Sequence, residues 1–408
     1  MNRQIITSMI DLDLYKLTMM QLVFHRYPGT FVETEFRCRT QGVNLARLYS
    51  QVNEQIKSLE DLRFTPSELM YLNQRLSFMK KDFVDFLSIF KFDVSQIHVS
   101  TEGEELVIKT YGSWWQTILY EIFVLAIVNE LHYLELMKNF TEREVYNVYE
   151  EGRARLESKL NLVKDKEGFV FTDFGTRRRF SKEWHYSVVD ICKHEVPDRL
   201  FGTSNVYLAK EMGINPVGTM AHEYLQAFQA FDNRLVDSQK AALEAWVQEY
   251  RGDLGIALTD VIGIDAFLKD FDLYFAKLFD GVRHDSGDPV IWGDKVIDHY
   301  QKLKIDPKTK LLVFSDGLTF PKSIELFDYF NPRIKTSFGI GTNLTNDLGF
   351  KAINIVMKMT SCNGKPVAKI SDSPGKGMCK DKEFENYLIK VYKEKPTLFE
   401  NAYGYKVA

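Results

Sequence analysis

Hydrophobic and polar positions follow both the helical and the strand period over the first 135 residues. Apolar residues recur at helical spacing over residues 11–27, and apolar and polar residues alternate over residues 32–38 as in a strand with one buried face. Two further strands are predicted on either side of a turn at residues 102–105. Helices are also predicted over residues 45–59, 66–76, 80–90 and 114–136. This mixture is typical of an α+β region.

A different rhythm runs from residue 168 to residue 343. A short apolar run ends in a polar residue or glycine, a helical segment follows, and the unit recurs six times, at residues 169–175, 216–222, 255–260, 281–287, 311–317 and 336–342. Apolar strands separated by helices predict a parallel sheet covered on both faces. Polar residues at the strand ends favour a closed or nearly closed β/α barrel, with a doubly wound open sheet as the alternative.

The last part of the chain is harder to place from its pattern. From residue 352 there are two strand-like runs, then a charged helix near residues 380–394 and a polar tail. Periodicity leaves open whether these runs join the barrel or return to the first domain.

Composition narrows the classes of function. The chain has 408 residues, with 52 Lys+Arg against 56 Asp+Glu and 45% hydrophobic residues, which is ordinary for a globular protein. The chain has no long blocks of Lys and Arg, and neutralising phosphates needs clustered cations. The sequence therefore disfavours a general binder of nucleic acids or anionic membranes. The longest uncharged run has eleven residues, whereas a membrane helix needs about 18 apolar ones, so we expect a cytoplasmic protein. The four scattered cysteines predict reduced thiols without structural zinc.

Two glycine-containing segments end the last two runs of the rhythm. They are Ser315-Asp316-Gly317 and the segment 337–342, which contains Gly339, Gly341 and Thr342. Glycine lets backbone N–H groups approach a phosphate, and barrels often bind phosphate on their late loops. The alternative is that these glycines only permit tight turns.

The segment 283–288 crowds five chemically active side chains into six residues. Asp285 could hold Mg²⁺ or a ribose, and Arg283 could clamp an anion. The structural alternative is an Arg–Asp ion pair. For Asp288 we favour a helix cap, since Pro289 is a good first-turn residue.

Three arginines follow another predicted strand end, in Asp173-Phe-Gly-Thr-Arg-Arg-Arg179. An arginine beside Phe174 could recognise a flat anionic ring by stacking and a charge-assisted hydrogen bond. We expect one or two of these arginines to be functional and at least one to be a solvated first-turn residue.

His222 lies at a strand-to-helix junction among small residues. An accessible neutral imidazole can act as a base, a metal ligand or a nucleophile. No second His or Cys stands at ligand spacing, which disfavours metal, and a structural histidine is the competing interpretation. Near the N-terminus, residues 11–17 are typical of an acidic helix start with a buried leucine stripe, and we favour that structural interpretation. Tyr15 stands out because an aromatic ring on an N-terminal helix can reach a neighbouring subunit.

Taken together, these segments closely resemble nicotinate phosphoribosyltransferases of the bacterial, ATP-coupled type, over nearly the whole chain. The matching motifs lie at residues 13–16, 35–39, 173–180, 202–205, 218–223, 283–289, 338–342, 363–369 and 371–376. The resemblance implies an α/β fold, an irregular β/α barrel with a second α+β domain built from the N-terminal region and the C-terminal strands. We expect domains at residues 1–135 and 136–350, and a C-terminal segment 351–408 that packs back on the first.

The same resemblance implies a reaction. Nicotinate and 5-phosphoribosyl 1-diphosphate would give nicotinate mononucleotide and pyrophosphate, in NAD salvage, with ATP and Mg²⁺ required. His222 would be phosphorylated by ATP, and Asp285 and Arg283 would be catalytic, with Asp285 near Mg²⁺. The loops 315–317 and 339–342 would hold the 5′-phosphate. The implied substrate-binding residues are Tyr15, reaching in from the partner of a homodimer, and Phe174, Thr176, Arg177, Ser204, Asp260 and Ser286.

Other functions remain open at this point. A nicotinamide enzyme of the same fold shares the histidine and the ring sandwich, but the arginine run favours an anionic ring. A quinolinate enzyme needs no ATP-coupled histidine. A non-catalytic binding protein on a retained scaffold is disfavoured by the presence of His222, Arg283 and Asp285 together. Gly317 departs from the asparagine expected there in close bacterial relatives, so backbone would replace a side-chain contact.

Overall fold

The computed structural model describes residues 3–373 and 375–398. Residue 374 of the motif 371–376 and the predicted tail beyond residue 398 lie outside the described residues.

The strands in the described part of the chain fall into an antiparallel and a parallel group. They are β1 (Phe31–Cys38), β2 (Ile97–Glu102), β3 (Glu105–Ser113), β4 (Phe171–Asp173), β5 (Leu200–Thr203), β6 (Asn215–Pro216), β7 (Ile256–Leu258), β8 (Gly281–His284), β9 (Leu311–Phe314), β10 (Lys335–Ile340), β11 (Ile355–Cys362) and β12 (Lys365–Pro366).

The helices alternate with the parallel strands and cluster in the N-terminal region. They are α1 (Leu14–Arg26), α2 (Tyr49–Ser58), α3 (Pro66–Arg75), α4 (Lys81–Leu87), α5 (Trp114–Thr117), α6 (Tyr120–Met137), α7 (Glu142–Asn161), α8 (Lys182–Glu195), α9 (Val206–Met212), α10 (His222–Ala227), α11 (Ser238–Tyr250), α12 (Ile264–Asp270), α13 (Leu273–Leu278), α14 (Pro289–Lys302), α15 (Phe320–Phe330), α16 (Thr342–Thr345) and α17 (Lys382–Glu394). Short 3₁₀ helices include Thr176–Arg178.

The antiparallel sheet joins strands from both ends of the chain, in the order β12-β11-β1-β3-β2. In β1, Val32 and Phe36 are buried while Phe31 and Glu33 are exposed, so the predicted alternation is confirmed. The two C-terminal runs that periodicity could not place are β11 and β12, and they belong to this sheet rather than to the parallel one.

The parallel sheet has seven strands in the order β6-β5-β4-β10-β9-β8-β7. Six of them correspond to the six predicted runs. The seventh, β5, was missed because only Leu200 and Phe201 precede its glycine. The parallel sheet with intervening helices and the separate antiparallel sheet confirm the predicted fold class.

The described residues pack as two compact units. The first comprises the described parts of Met1–Gly218, Gly317–Ile324 and Phe338–Lys358, and the second those of Thr219–Asp316, Glu325–Ser337 and Met359–Ala408. The domain limits expected from the sequence, at residues 135 and 350, stay a prediction.

The first unit contains a long and largely apolar helical segment. Over Trp114–Met137, which comprises α5 and α6, the segment is long and apolar enough to cross a membrane by composition, but 89% of its most apolar stretch is buried inside the protein. A largely hydrophobic helix that is covered by protein is a core helix.

Candidate functional site

His222, Asp260, Asp285 and Lys369 form one buried group in the second unit, called here the histidine cluster. His222 begins α10, Asp260 follows β7, and Asp285 follows β8. The carboxyl ends of neighbouring parallel strands meet at one edge of a sheet, which brings the two aspartates together. Nε2 of His222 lies 2.8 Å from Oδ1 of Asp260 and 3.5 Å from Oδ2 of Asp285. The sequence-predicted residues therefore meet here.

Two serines complete the hydrogen bonds of these carboxylates. Ser286 Oγ donates to Asp260 Oδ2 at 2.6 Å. Ser315 Oγ lies 3.1 Å from Asp285 Oδ1 and 2.9 Å from the carbonyl oxygen of His284. Both serines were predicted site residues, and in this structure each orients an aspartate.

Lys369 supplies the cation of the histidine cluster. Its Nζ lies 2.9 Å from Asp260 Oδ2 and 3.9 Å from Asp285 Oδ2, with 6% of the side chain exposed. Sequence reasoning placed Lys369 in a motif but assigned it no role. The signal was an apolar run ending in a lysine, which pattern alone does not connect to an aspartate far away in sequence.

The cluster controls the protonation of its members. Burial and the Lys369 ammonium lower the pKa of His222 to about 4, and Asp260 only partly opposes this. Burial alone would raise the pKa of Asp260, but His222, Lys369 and the Ser286 hydrogen bond hold it well below its usual range. The pKa of Asp285 is also lowered, since His222, Lys369 and Arg283 outweigh its burial and the like charge of Asp260. At neutral pH the cluster contains a neutral imidazole between two carboxylates.

The donor set allows a metal ion at one edge of the cluster. One ligand atom from each of His222, Asp260 and Asp285 lies within 4.8 Å of the others. Asp260 is already neutralised by Lys369, whereas 24% of the Asp285 side chain is exposed. Mg²⁺ prefers oxygen ligands and keeps several waters, so Asp285 is the member best suited to it.

Three further residues that the sequence analysis named in the second unit have defined positions. Arg283 lies on β8, two residues before Asp285, and its charge helps to lower the pKa of Asp285. Asp316 forms an ion pair with Lys376. Asp288 caps α14, since its side chain accepts from the N–H groups of Val290 and Ile291, which confirms the interpretation as a cap.

Phe174 and its neighbours form a second group, in the first unit. The backbone N–H of Phe174 donates to the carbonyl oxygen of Ile340 at 2.9 Å. A side chain on Gly339 would overlap the Phe174 ring, and a Cβ on Gly341 would lie 2.9 Å from the Phe174 carbonyl oxygen. Both positions therefore need glycine because Phe174 occupies the space of a side chain. The predicted binding of phosphate by these glycines stays a prediction. Thr342 begins the short helix α16 beyond them.

Arg177 faces a buried carboxylate that the sequence analysis did not single out. Its Nη1 lies 3.6 Å from Oε1 of Glu121 on α6, and 36% of the Arg177 side chain is exposed. Lys16, which is fully buried, lies 2.6 Å from the other oxygen of Glu121. Burial would raise the pKa of Glu121, but Lys16, Lys358 and Arg177 lower it to about 2. Glu121 therefore holds cations beside the Phe174 loop.

The other two arginines of the run have structural contacts. Arg179 makes a bidentate ion pair with Asp11, at 2.6 and 2.9 Å, and both residues are 1% exposed. Arg178 Nε donates to the carbonyl oxygen of Ile355 at 3.0 Å. Arg177 is 36% exposed, and the expectation that one or two arginines of the run are functional stays a prediction.

Ser204 contacts the start of α1, next to Tyr15 in the sequence. Ser204 Oγ donates to Asp13 Oδ1 at 2.6 Å, and the N–H of Leu14 donates to the Ser204 carbonyl oxygen at 2.8 Å. Tyr15 follows on α1, and Thr176 is buried. Gly317 has a φ of +55° with open space around its Cα, which suits a backbone contact.

Comparisons with known proteins decide the family. The model of the nicotinate phosphoribosyltransferase (NAPRTase) family matches residues 169–396, and the model of the NAPRTase N-terminal domain matches residues 10–129. The chain belongs to the nicotinate phosphoribosyltransferase family. The Chromobacterium violaceum nicotinate phosphoribosyltransferase is 54% identical over 402 residues, which cover 96% of this chain and 98% of that protein. The Acinetobacter baumannii enzyme is 54% identical over 400 residues, covering 95% and 97%.

Solved structures of the nicotinate phosphoribosyltransferase family have the same fold. The Vibrio cholerae structure aligns with a TM-score of 0.90 at 40% identity, covering 96% of this chain and 94% of that one. The Porphyromonas gingivalis structure aligns with a TM-score of 0.88 at 34% identity, covering 95% and 100%. The family resemblance stated from the motifs is therefore confirmed.

Proposed function

We propose that this protein joins nicotinate to 5-phosphoribosyl 1-diphosphate, giving nicotinate mononucleotide and pyrophosphate, with ATP hydrolysis coupled through a phosphohistidine at His222. Membership of the nicotinate phosphoribosyltransferase family supports the transferase reaction. The observation that carries the coupling is the neutral His222 ring held by Asp260 in the histidine cluster.

His222 has the protonation state that a phosphoryl acceptor needs. Asp260 is ionised, so the Nε2 nitrogen that faces it carries the proton and Nδ1 carries the lone pair. Attack of Nδ1 on the γ-phosphorus of ATP would break the bond to the bridging oxygen and release ADP. The positive charge that develops on the ring is stabilised by Asp260 and Asp285. Water would later hydrolyse the phosphohistidine and regenerate the free ring.

Pyridine recognition is assigned to the loop after β4. Phe174 provides a ring for stacking, and Arg177 provides a charged donor for the nicotinate carboxylate. Glu121 keeps the Arg177 guanidinium close to this loop. Ser204 and Thr176 would bind substrate from the adjoining strand end and loop. An anionic ring fits this arrangement better than nicotinamide, whose neutral amide gains less from arginine.

The sugar would be bound by Arg283, Asp285 and the late loops. The pyridine nitrogen attacks C1 of the ribose while the bond from C1 to the pyrophosphate oxygen breaks. The protein's contribution is to position the reactants and neutralise charge. We assign the 5′-phosphate to the backbone of loops 315–317 and 339–342, and we assign Mg²⁺, which would neutralise pyrophosphate charge, to Asp285.

Substrate assays test this assignment. The wild type is incubated with phosphoribosyl diphosphate, Mg²⁺ and ATP, and with nicotinate, nicotinamide or quinolinate in parallel. We expect nicotinate to be the preferred substrate, and Arg177→Ala to raise its KM at least about tenfold, because a charge-assisted hydrogen bond is lost. Arg153→Ala, at an exposed position on α7, is the matched control. Preference for another pyridine contradicts the substrate assignment, and absence of any nucleotide product contradicts the enzyme assignment.

We further propose a cytoplasmic homodimer in which Tyr15 of one subunit contributes to the pyridine site of the other. The test mixes a Tyr15→Ala protein with a His222→Ala protein and allows subunits to exchange. Shared sites predict that activity partly recovers, because half of the mixed sites are intact. If the mixture stays as inactive as its components, the shared site is wrong.

A further inference from the structure

Asp173 accepts hydrogen bonds from three different segments of the first unit. Its Oδ1 accepts from the backbone N–H of Gly175 at 2.8 Å, and its Oδ2 accepts from Thr203 Oγ1 at 2.6 Å and lies 2.7 Å from Nε2 of His185. Asp173, Thr203 and His185 are all fully buried. We call these four residues the Asp173 network.

The His185 ring is the donor in its contact with Asp173. Burial alone would raise the pKa of Asp173, but His185, Thr203 and the Gly175 N–H together lower it, so the carboxyl is ionised and can only accept. Nε2 of His185 must therefore carry the proton. Nδ1 of His185 is buried and has no hydrogen-bond partner among the described residues, so Nε2 is the ring nitrogen that connects His185 to the network.

The network fixes the direction in which the backbone leaves β4. The bond to the Gly175 N–H turns the chain directly after Phe174, and the 3₁₀ helix Thr176–Arg178 begins at this point. Thr345 limits the other side of the turn, because its side chain occupies the space of a Gly175 Cβ and donates to the Gly175 carbonyl oxygen at 3.1 Å. Phe174 and Arg177 lie within this constrained segment.

We propose that His185 is a positioning residue for the pyridine-binding loop, acting through Asp173 on Phe174 and Arg177. This inference rests on the proposed function, in which these two residues bind nicotinate. His185 lies on α8, and among the described residues its side chain forms no hydrogen bond to a residue assigned to the substrate. The His185 side chain keeps Asp173 in the orientation in which Asp173 also accepts from the Gly175 N–H. The pyridine-binding loop therefore has its final conformation before the ligand binds.

A loss of this bond should act on nicotinate rather than on the sugar substrate. His185→Leu removes the donor and leaves a buried carboxylate one hydrogen bond short, and the loop can then relax toward other donors. We expect the KM for nicotinate to rise about tenfold, which corresponds to one charge-assisted hydrogen bond. The KM for phosphoribosyl diphosphate should change less than about twofold.

His185→Gln is the conservative variant. The glutamine amide places an N–H donor near the position of His185 Nε2, so it should restore most of the affinity for nicotinate. Val189→Ala is the matched stability control, because Val189 lies on the same helix, is fully buried and packs in a hydrophobic cluster with Leu208 and Met212. It should lower the melting temperature without changing either KM.

The outcomes separate the positioning role from a structural one. Equal changes in both KM values, or equal values for His185→Gln and His185→Leu, overturn the proposal. If His185→Leu fails to fold, Thr203→Val and Thr203→Ser replace it, since only the valine removes the hydroxyl that donates to Asp173. An unchanged nicotinate KM in Thr203→Val then overturns the proposal. Wild-type protein without turnover on nicotinate refutes the proposed function itself.

Discussion

Nε2 of His222 lies 2.8 Å from Oδ1 of Asp260, and this contact fixes which nitrogen of the ring is available for chemistry. The ionised carboxylate selects the tautomer with the proton on Nε2. The same carboxylate also accepts from Ser286 and pairs with Lys369. Asp260 therefore orients the imidazole and is itself held in place by two other groups.

Asp260→Asn should slow the phosphorylation of His222 by about a hundredfold, because an amide can stabilise the wrong tautomer and cannot stabilise the developing positive charge. The measurement is the transfer of labelled γ-phosphate from ATP to the protein. Asp288→Asn is the control, since asparagine caps a helix as well as aspartate does. Equal phosphorylation rates of wild type and Asp260→Asn would show that Asp260 does not assist the phosphorylation of His222.

The pH dependence of phosphorylation should reflect the low pKa of His222. Only the unprotonated ring can attack phosphorus, and a pKa of about 4 keeps it unprotonated well below the value for an ordinary histidine. Labelling rates should therefore hold as the pH falls from 7 to about 5.5. In Lys369→Met a charge that lowers the pKa is lost, so the acid decline should move to higher pH. A decline of the wild type near pH 6.5 contradicts this prediction.

Substitution of Arg179 should mainly reduce stability, whereas substitution of Arg177 should mainly reduce nicotinate binding. Arg179→Met leaves the buried Asp11 carboxylate with only Lys182 at 3.5 Å and the Asn205 amide as partners. Loss of the bidentate partner of a buried charge should lower the free energy of unfolding by about 3–5 kcal/mol. Arg177→Met should lower it far less, since Arg177 is partly exposed, yet it should lose affinity for nicotinate. Urea unfolding measures the first effect and steady-state kinetics the second. Equal unfolding free energies of the two variants would contradict the distinction.

Acid should weaken the same ion pair. The folded pKa of Asp11 is depressed, because Arg179, Lys182 and Asn205 outweigh its burial. The stability that Asp11 contributes is therefore present above the ordinary carboxyl pKa of about 3.9 and is lost as the pH falls below it. Asp11→Asn should flatten that part of the stability profile between about pH 4 and pH 2. If the stability of Asp11→Asn falls with acid as steeply as that of the wild type, other groups cause the acid sensitivity.

Gly339→Ala tests why this glycine is needed. An added methyl group would overlap the Phe174 ring, so the nicotinate KM should rise. Phe174→Leu combined with Gly339→Ala should relieve the overlap and recover the melting temperature, although not nicotinate affinity. If Gly339→Ala instead raises only the KM for phosphoribosyl diphosphate, its main role is to bind phosphate.

The local sequence predicted much of the fold, because burial of one face of a helix or strand makes apolar residues recur at a regular spacing. Six of the seven parallel strands, the first helix and the cap at Asp288 follow from apolar spacing and turn residues. Strand β5 was missed because only Leu200 and Phe201 precede its Gly-Thr end, which is too short an apolar run to stand out in the sequence. The family motifs, rather than periodicity, suggested that the C-terminal strands join the N-terminal ones.

Partnerships between side chains could not be predicted in the same way. His222 and Asp285 stood out because they follow strand ends, but Lys369, Glu121 and His185 gave no comparable local signal. The pairs Lys369–Asp260 and Glu121–Arg177 form only when distant segments fold together. His185 is buried in the core, and its bond to Asp173 depends on where α8 packs.

The most direct test of the central claim is the amount of ADP released for each nicotinate mononucleotide formed, measured in wild type and in His222→Asn. The account predicts that wild type releases both products together, and that the variant forms the mononucleotide slowly without releasing ADP. His194→Asn, at an exposed histidine on α8, should behave as wild type. If His222→Asn still releases ADP in step with the mononucleotide, the phosphohistidine at His222 is wrong.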